Sequence, residues 1–150
     1  MAHPIYFNIS INASPMHVWK VMLDDTHYRA WAKVWHEGSQ FRGAWTPGTE
    51  ILFCDESGAG IAADVVANDP GVYVETRPKY ELGPGSEPRM EHAAMWVGSR
   101  ECYTLSPQGD GCLLEINLEA PNMPDAMGDY MAESWPKALV LIKELCEKAA

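Results

Sequence analysis

Residues 11–31 read INASPMHVWKVMLDDTHYRAW, and the way this stretch folds decides how the rest of the chain is read. Ser14 followed by Pro15 is a helix start. The serine hydroxyl accepts from an early backbone N–H, and proline at the first helical position gives up an N–H that has no partner there. Val18, Trp19, Met22 and Leu23 then stand at i, i+1, i+4 and i+5, an apolar stripe for a helix of about nine residues. DDTHYRAW restarts the chain as a second short helix capped by Asp25 or Thr26, with Tyr28, Trp31 and Ala32 turned inward. Two tryptophans and a tyrosine on two short helices are either core or the wall of a site. They are expected to help frame a cavity.

Upstream, HPIYFNISI alternates as a strand does, with Ile5, Phe7, Ile9 and Ile11 on one face. Downstream the periodicity changes from helical to alternating. EGSQFRGAW and GTEILFCDE read as strands joined through the WTPG turn, and GIAADVVAND and GVYVETRPKYEL as a pair broken by NDPG. VGSRECYTLSP and CLLEINLEA form the clearest hairpin, turned by QGDG, with Cys112, Leu114, Ile116 and Leu118 on one face. Between these pairs GPGSEPRMEHAAMW holds three breakers and reads as a long loop.

The last element is a helix over residues 124–149. Met127, Met131, Trp135, Leu139, Ile142 and Cys146 recur at steps of three and four, with Ala138 and Leu145 beside them. Asp125 near its start and Lys143 and Lys148 near its end have the signs the helix dipole favours. Pro136 is expected to kink this helix or to mark the meeting of two segments.

The totals restrict the function classes. A chain of 150 residues that is 47% apolar and 21% charged is expected to be one globular domain, residues 1–150. Its net charge of −10, spread rather than gathered in a tail, argues against nucleic acid and against an anionic membrane surface as partners. No apolar run approaches the roughly 18 residues of a membrane helix, so no membrane insertion is expected. The start MAHPIYFNIS lacks the features of a signal peptide, so a cytoplasmic location is expected, with Cys54, Cys102, Cys112 and Cys146 as reduced, mostly buried thiols.

Strand, two short helices, six to seven strands and one long helix make an α+β chain. An antiparallel sheet of that length must curve, and one amphipathic helix has to cover its concave face. One helix cannot fill the whole concavity, so a cavity is expected between the two.

The motifs ASPMHVWKVMLDDTHYRAW, GSQFRGAWTPGTEILF, ETRPKYEL, ECYTL with GDGCLLEINLE, and YMAESWPKALVLIKELCE, taken in order, resemble the SRPBCC (START-like) superfamily. The branch they resemble is the one named for the activator of Hsp90 ATPase. The resemblance covers nearly the whole chain and rests on packing patterns. It implies the helix-grip (START/Bet v 1-like) fold, in which a curved sheet wraps a long C-terminal helix around a deep, mostly apolar cavity. It implies small hydrophobic ligands in general and leaves the activity open, because that fold serves carriers, receptors and cyclases alike.

Candidate ligand-binding residues follow from the places where such a cavity would be bounded: Trp31, Trp35, Phe41, Phe53, Tyr73 and Trp96, then Tyr103, Met127, Tyr130, Met131 and Trp135. Trp19 and Phe7 are read as ordinary core. Met123, Met127 and Met131 recur every four residues, an apolar stripe or an adaptable entrance. Glu101 and Tyr103 share a face of a regular strand. If that face is concave, Glu101 is a carboxyl with a raised pKa and a candidate acid/base group or ligand anchor with Tyr103. Otherwise it is an outward residue or is paired with Arg77 or Arg100.

His3, His17, His27, His36 and His92 show no metal-ligand spacing, so no metal is expected. No nucleophile elbow, Walker loop or Rossmann glycine pattern is present, so no cofactor is expected either. The first functional reading is a binding protein for a small hydrophobic or amphipathic molecule. The second is a metal-independent acid/base enzyme, a cyclase, isomerase or hydrolase-like catalyst, in the same cavity. The third is a chaperone-partner module like the Hsp90 co-chaperone. A monomer or a homodimer fits each of them.

Overall fold

In the computed structural model, which describes residues 5–149, Ser14 caps the first helix: its Oγ accepts from the His17 backbone N–H at 3.2 Å. His3 and Pro4, the first two residues of the expected first strand, lie outside the described residues. The chain runs β1 (Ile5–Ile11), α1 (Pro15–Leu23), α2 (Asp25–Ala32), β2 (Gln40–Arg42), β3 (Glu50–Cys54), β4 (Gly60–Asp69), β5 (Tyr73–Gly83), β6 (Glu87–Arg89), β7 (Arg100–Gln108), β8 (Gly111–Glu119) and α3 (Asp125–Ala149). Asp24, rather than Asp25 or Thr26, caps α2, because it belongs to both helices. Its N–H closes α1 on the Lys20 carbonyl at 2.9 Å, while its carboxylate accepts from the His27 N–H at 3.2 Å.

The strands form one antiparallel sheet in the order β1-β8-β7-β5-β4-β3-β2, with β6 added to β5. Gln108 pairs with Gly111 across a two-residue turn, as the QGDG motif requires. The register of β4 on β5 shifts between Ala62 and Ala63 and again between Val65 and Ala67, and such bulges bend a sheet. The inner face of β8 carries Cys112, Leu114, Ile116 and Leu118, all buried, as its alternation predicts.

The sheet has one strand beyond the six to seven expected. β6 lies inside the segment read as a loop, where its three residues are all exposed and therefore carry no alternation to read. A short 3₁₀ turn, Pro84–Ser86, precedes it, pinned by Gly85 N–H to the Ser57 carbonyl at 2.6 Å.

α3 runs unbroken through Pro136, so the two-segment alternative does not hold. Trp135, Ala138, Leu139, Ile142 and Cys146 enter one core with the inner residues of β7 and β8 and the buried residues of α1 and α2. This is the helix-grip arrangement, a sheet wrapped on a long C-terminal helix.

Candidate functional site

The concavity is filled by rings at its α1–α2 side. Trp31 packs at 5.9 Å from Trp135 and at 6.0 Å from Trp35, and Trp35 meets Trp135 edge-on at 4.9 Å. Tyr28 continues the cluster to Phe41 at 5.2 Å and Phe53 at 6.1 Å, and Trp45 closes it against both phenylalanines. Tyr103 of β7 joins through Trp135 at 5.9 Å. Six of the candidate lining residues, Trp31, Trp35, Phe41, Phe53, Tyr103 and Trp135, thus pack on one another. Offset and edge-on ring pairs at these spacings add to the area they bury, so the aromatic bulk plugs most of the space under the sheet.

A cavity of about 110 Å³ remains at the other end, between β7, β8 and the first turns of α3. Ile5, Ile61, Leu118, Met123, Met127 and Met131 give it a mostly apolar lining, with Trp96, Arg100, Glu101 and Glu119 also in its wall. At about 30 Å³ for a water-sized group, it holds three or four carbon-sized groups. It is well below the volume of sites that take drug-sized ligands, about 300–1,000 Å³.

Glu101 faces inward: it pairs with Leu118 in the register of β7 on β8, and Leu118 belongs to the inner face. Its Oε1 accepts the Tyr103 hydroxyl at 2.6 Å. Burial pushes the Glu101 carboxyl above its ordinary value, and the hydrogen bond from Tyr103 opposes that only in part. Burial, and then the neighbouring Glu101 charge, push the Tyr103 and Tyr28 hydroxyls upward in turn. Among the described residues no Lys, Arg or His makes an ion pair with Glu101, so the expected alternative of a pair with Arg77 or Arg100 does not hold.

Those arginines serve the opposite face. Tyr73 O–H donates to Glu75 Oε1 at 2.8 Å, Arg77 Nε to Glu75 Oε2 at 2.9 Å, and Arg100 Nε and Nη2 to the two oxygens at 3.2 Å each. Tyr73 therefore lies on the outer face with Glu75, away from the cavity, since it pairs with Thr104 while the inward Tyr103 pairs with Val74. Tyr130 is 43% exposed and donates its hydroxyl to the Trp35 carbonyl at 3.1 Å, bridging α3 to the segment after α2. Of the candidate and charged residues singled out from the sequence, Trp96, Arg100, Glu101, Met123, Met127 and Met131 come together at the cavity.

Other contributors were not legible. Trp45, which the sequence places at the end of a strand and the start of the WTPG turn, is 9% exposed and sits in the aromatic cluster. Ser99 lines the cavity and carries no motif that marks it. Among the described residues no group of three His, Cys, Asp or Glu side chains could hold a metal ion, and the four cysteines are free and buried. No helix is long and apolar enough to cross a membrane.

No known family profile and no curated protein matches the chain. Its fold is shared by solved structures. The Aha1 protein of Colwellia psychrerythraea, solved as a dimer, matches with a TM-score of 0.74 at 19% identity over 97% of this chain and 96% of that one. Protein MLL2253 of Mesorhizobium loti matches at 0.74 and 15% identity over 99% of both. CalU16 of Micromonospora echinospora matches at 0.65 and 17% identity over 96% of this chain and 74% of that one. At these identities the likeness is one of fold, the fold implied by the sequence motifs.

Proposed function

We propose that the protein binds a small amphipathic molecule in the cavity between β7, β8 and the start of α3, with Glu101 as the group that orients it. One observation supports this above the rest. Glu101 places a carboxyl without an ion-pair partner in a mostly apolar wall, held by a hydrogen bond from Tyr103. Burying an ionisable group without a cation is costly, and a hydrophobic residue of similar size would pack there without that cost. A ligand hydroxyl, amine or carbonyl supplies the missing partner. Met123, Met127 and Met131 allow the wall to mould around it, since thioether side chains adapt to varied shapes.

The same carboxyl favours a second reading, a metal-independent acid/base enzyme. A Glu101 whose carboxyl is pushed upward by burial can give a proton to a bound substrate and take one back, with Tyr103 holding it in place. The buried free cysteines favour a reducing compartment, and we place the protein in the cytoplasm.

Native mass spectrometry of the freshly purified protein tests the binding reading. A defined small molecule at near-equal stoichiometry is expected, and it should be missing from a Met131→Trp variant whose ring fills the cavity. A wild-type protein that arrives empty and takes up no saturable adduct from a panel of small alcohols, ketones and carboxylic acids would overturn it.

A further inference from the structure

The cavity has a second side. β5 is hydrogen-bonded to β7 only through residues 73–76 against residues 101–104, and it meets β6 only from Glu81 onward. Residues 77–80 of β5 therefore have no strand partner on that edge. Pro78, which has no N–H to donate, fits such a gap. Outside the gap lies an open groove of about 410 Å³ bordered by Arg77, Lys79 and Arg100. Pro78, Trp96, Ser99 and Arg100 line both the groove and the inner cavity, so the two chambers share one wall through the sheet.

That wall holds polar atoms with no partner. Trp96 is 6% exposed and Ser99 4% exposed, yet neither the Trp96 indole N–H nor the Ser99 Oγ has a hydrogen-bond partner among the described residues. A buried unmet donor costs about 1–3 kcal/mol. The two belong to one tight turn: the Ser99 N–H donates to the Trp96 carbonyl at 3.0 Å. Val97 at φ −59°, ψ 128° and Gly98 at φ +81° are the central angles of a type II turn, which brings its first and fourth residues together. Asn122 Nδ2, donating to the Val97 carbonyl at 2.9 Å, fastens the turn to the segment leading into α3.

We infer that this turn is the recognition element of the ligand site and that the ligand lies across the wall. Its oxygen acceptor, a carbonyl or an ether, takes the Trp96 N–H and the Ser99 O–H, and a short chain of about four carbons fills the inner cavity, where a polar end meets Glu101. The inference rests on the proposed binding role and adds to it the class of ligand and the route through the sheet between β5 and β7. The cations of the groove are already engaged, Lys79 with Glu50 at 2.7 Å and Asp64 at 2.9 Å, and Arg77 and Arg100 with Glu75. The groove therefore favours a neutral molecule over an anion.

The probe is 2-hexanone, whose butyl chain matches the inner volume. Its addition is followed by the indole N–H and methionine methyl signals in NMR, with the Trp96 signal assigned by Trp96→Phe. A saturable downfield move of the Trp96 N–H is expected, together with binding roughly fivefold weaker in Ser99→Ala, the worth of one ordinary hydrogen bond. Hexane should leave the indole signal in place. Saturable shifts of the Met123 and Met131 methyls with an unmoved Trp96 N–H would sink this inference and leave the binding reading standing. No saturable shift at any of these groups would remove both. Equal affinity in the wild type and in Ser99→Ala would also overturn the turn's role, and it needs no Trp96 variant to fold.

Discussion

Replacing Glu75 by glutamine tests the outer network that holds Arg100 in the shared wall. The Glu75 side chain is 8% exposed and accepts from Tyr73, Arg77 and Arg100. Burial alone would push its carboxyl up. The hydrogen bonds and charges of Arg100, Tyr73 and Arg77 outweigh burial and hold it at about 2, against an ordinary value of 4.5. A folded value below the unfolded one gives stability that is complete above the unfolded pKa and disappears as pH falls through the folded one. The window is therefore about pH 4.5 down to 2. The full difference corresponds to about 3 kcal/mol. Arg77 and Arg100 reach solvent, with side chains 57% and 39% exposed, and screening brings the expectation to about 2 kcal/mol. Glutamine keeps the shape and one acceptor but brings an NH₂ against the guanidinium donors. Urea unfolding followed by tryptophan fluorescence should find Glu75→Gln about 2 kcal/mol less stable at pH 7, the gap narrowing below pH 4.5 and closing near pH 2. A gap that stays constant across that range would mean that the loss is one of packing, and the electrostatic argument would be refuted.

Glu101→Gln should behave in the opposite sense. A carboxyl whose folded pKa is raised destabilises the protein as pH climbs past the unfolded value. The variant should therefore match the wild type near pH 4 and become more stable above it, by up to about 1.4 kcal/mol for each pH unit until the folded pKa is passed. Parallel melting-temperature profiles for the two proteins from pH 4 to 8 would contradict the inward, uncompensated carboxyl. Gly98→Ala should cost about 1–2 kcal/mol, because φ is +81° there and a Cβ would stand 3.0 Å from Pro121 Cγ. It should also move the Trp96 indole signal. Wild-type unfolding and an unmoved indole would show that the turn tolerates a side chain.

Much of this fold could be read because its elements announce their period. The Ser14–Pro15 start and the alternation of Cys112, Leu114, Ile116 and Leu118 each place an element and its inner face without reference to anything distant. Glu101 and Tyr103 share a face for the same reason, and the structure turns that face inward. What stayed hidden depends on pairings between distant segments. Tyr73 and Tyr103 look alike in sequence, yet the β5–β7 register opposes them to Thr104 and Val74 and sends them to opposite faces. Whether rings line a space or fill it depends on volumes that Trp31, Trp35 and Trp135 fix jointly from three segments. β6 has no buried residue, so its pairing left no trace in the pattern, and the unpaired Trp96 and Ser99 emerge only once their burial is known.

The first residues of β7 show why the inner carboxyl asks for a functional account. Arg100 and Glu101 are neighbours in the chain and take opposite sides of the sheet, Arg100 joining Glu75 outside and Glu101 joining Tyr103 inside. Two glutamates one strand apart are driven in opposite directions, Glu75 downward by guanidinium donors and Glu101 upward by burial. A slip of one residue would exchange the faces. It would turn the Arg100 guanidinium from Glu75 to the inner face and strip Glu75 of its strongest partner, so charge locks the register that hydrophobic alternation alone would also choose. The Glu75 side is complete: every group there has its counterpart, and its role is accounted for by the fold. The Glu101 side is incomplete, because folding alone would be served as well or better by a leucine. An arrangement that keeps a costly carboxyl on the inner face, beside two unmet polar groups of the adjacent turn, is organised around a partner that the chain itself does not supply.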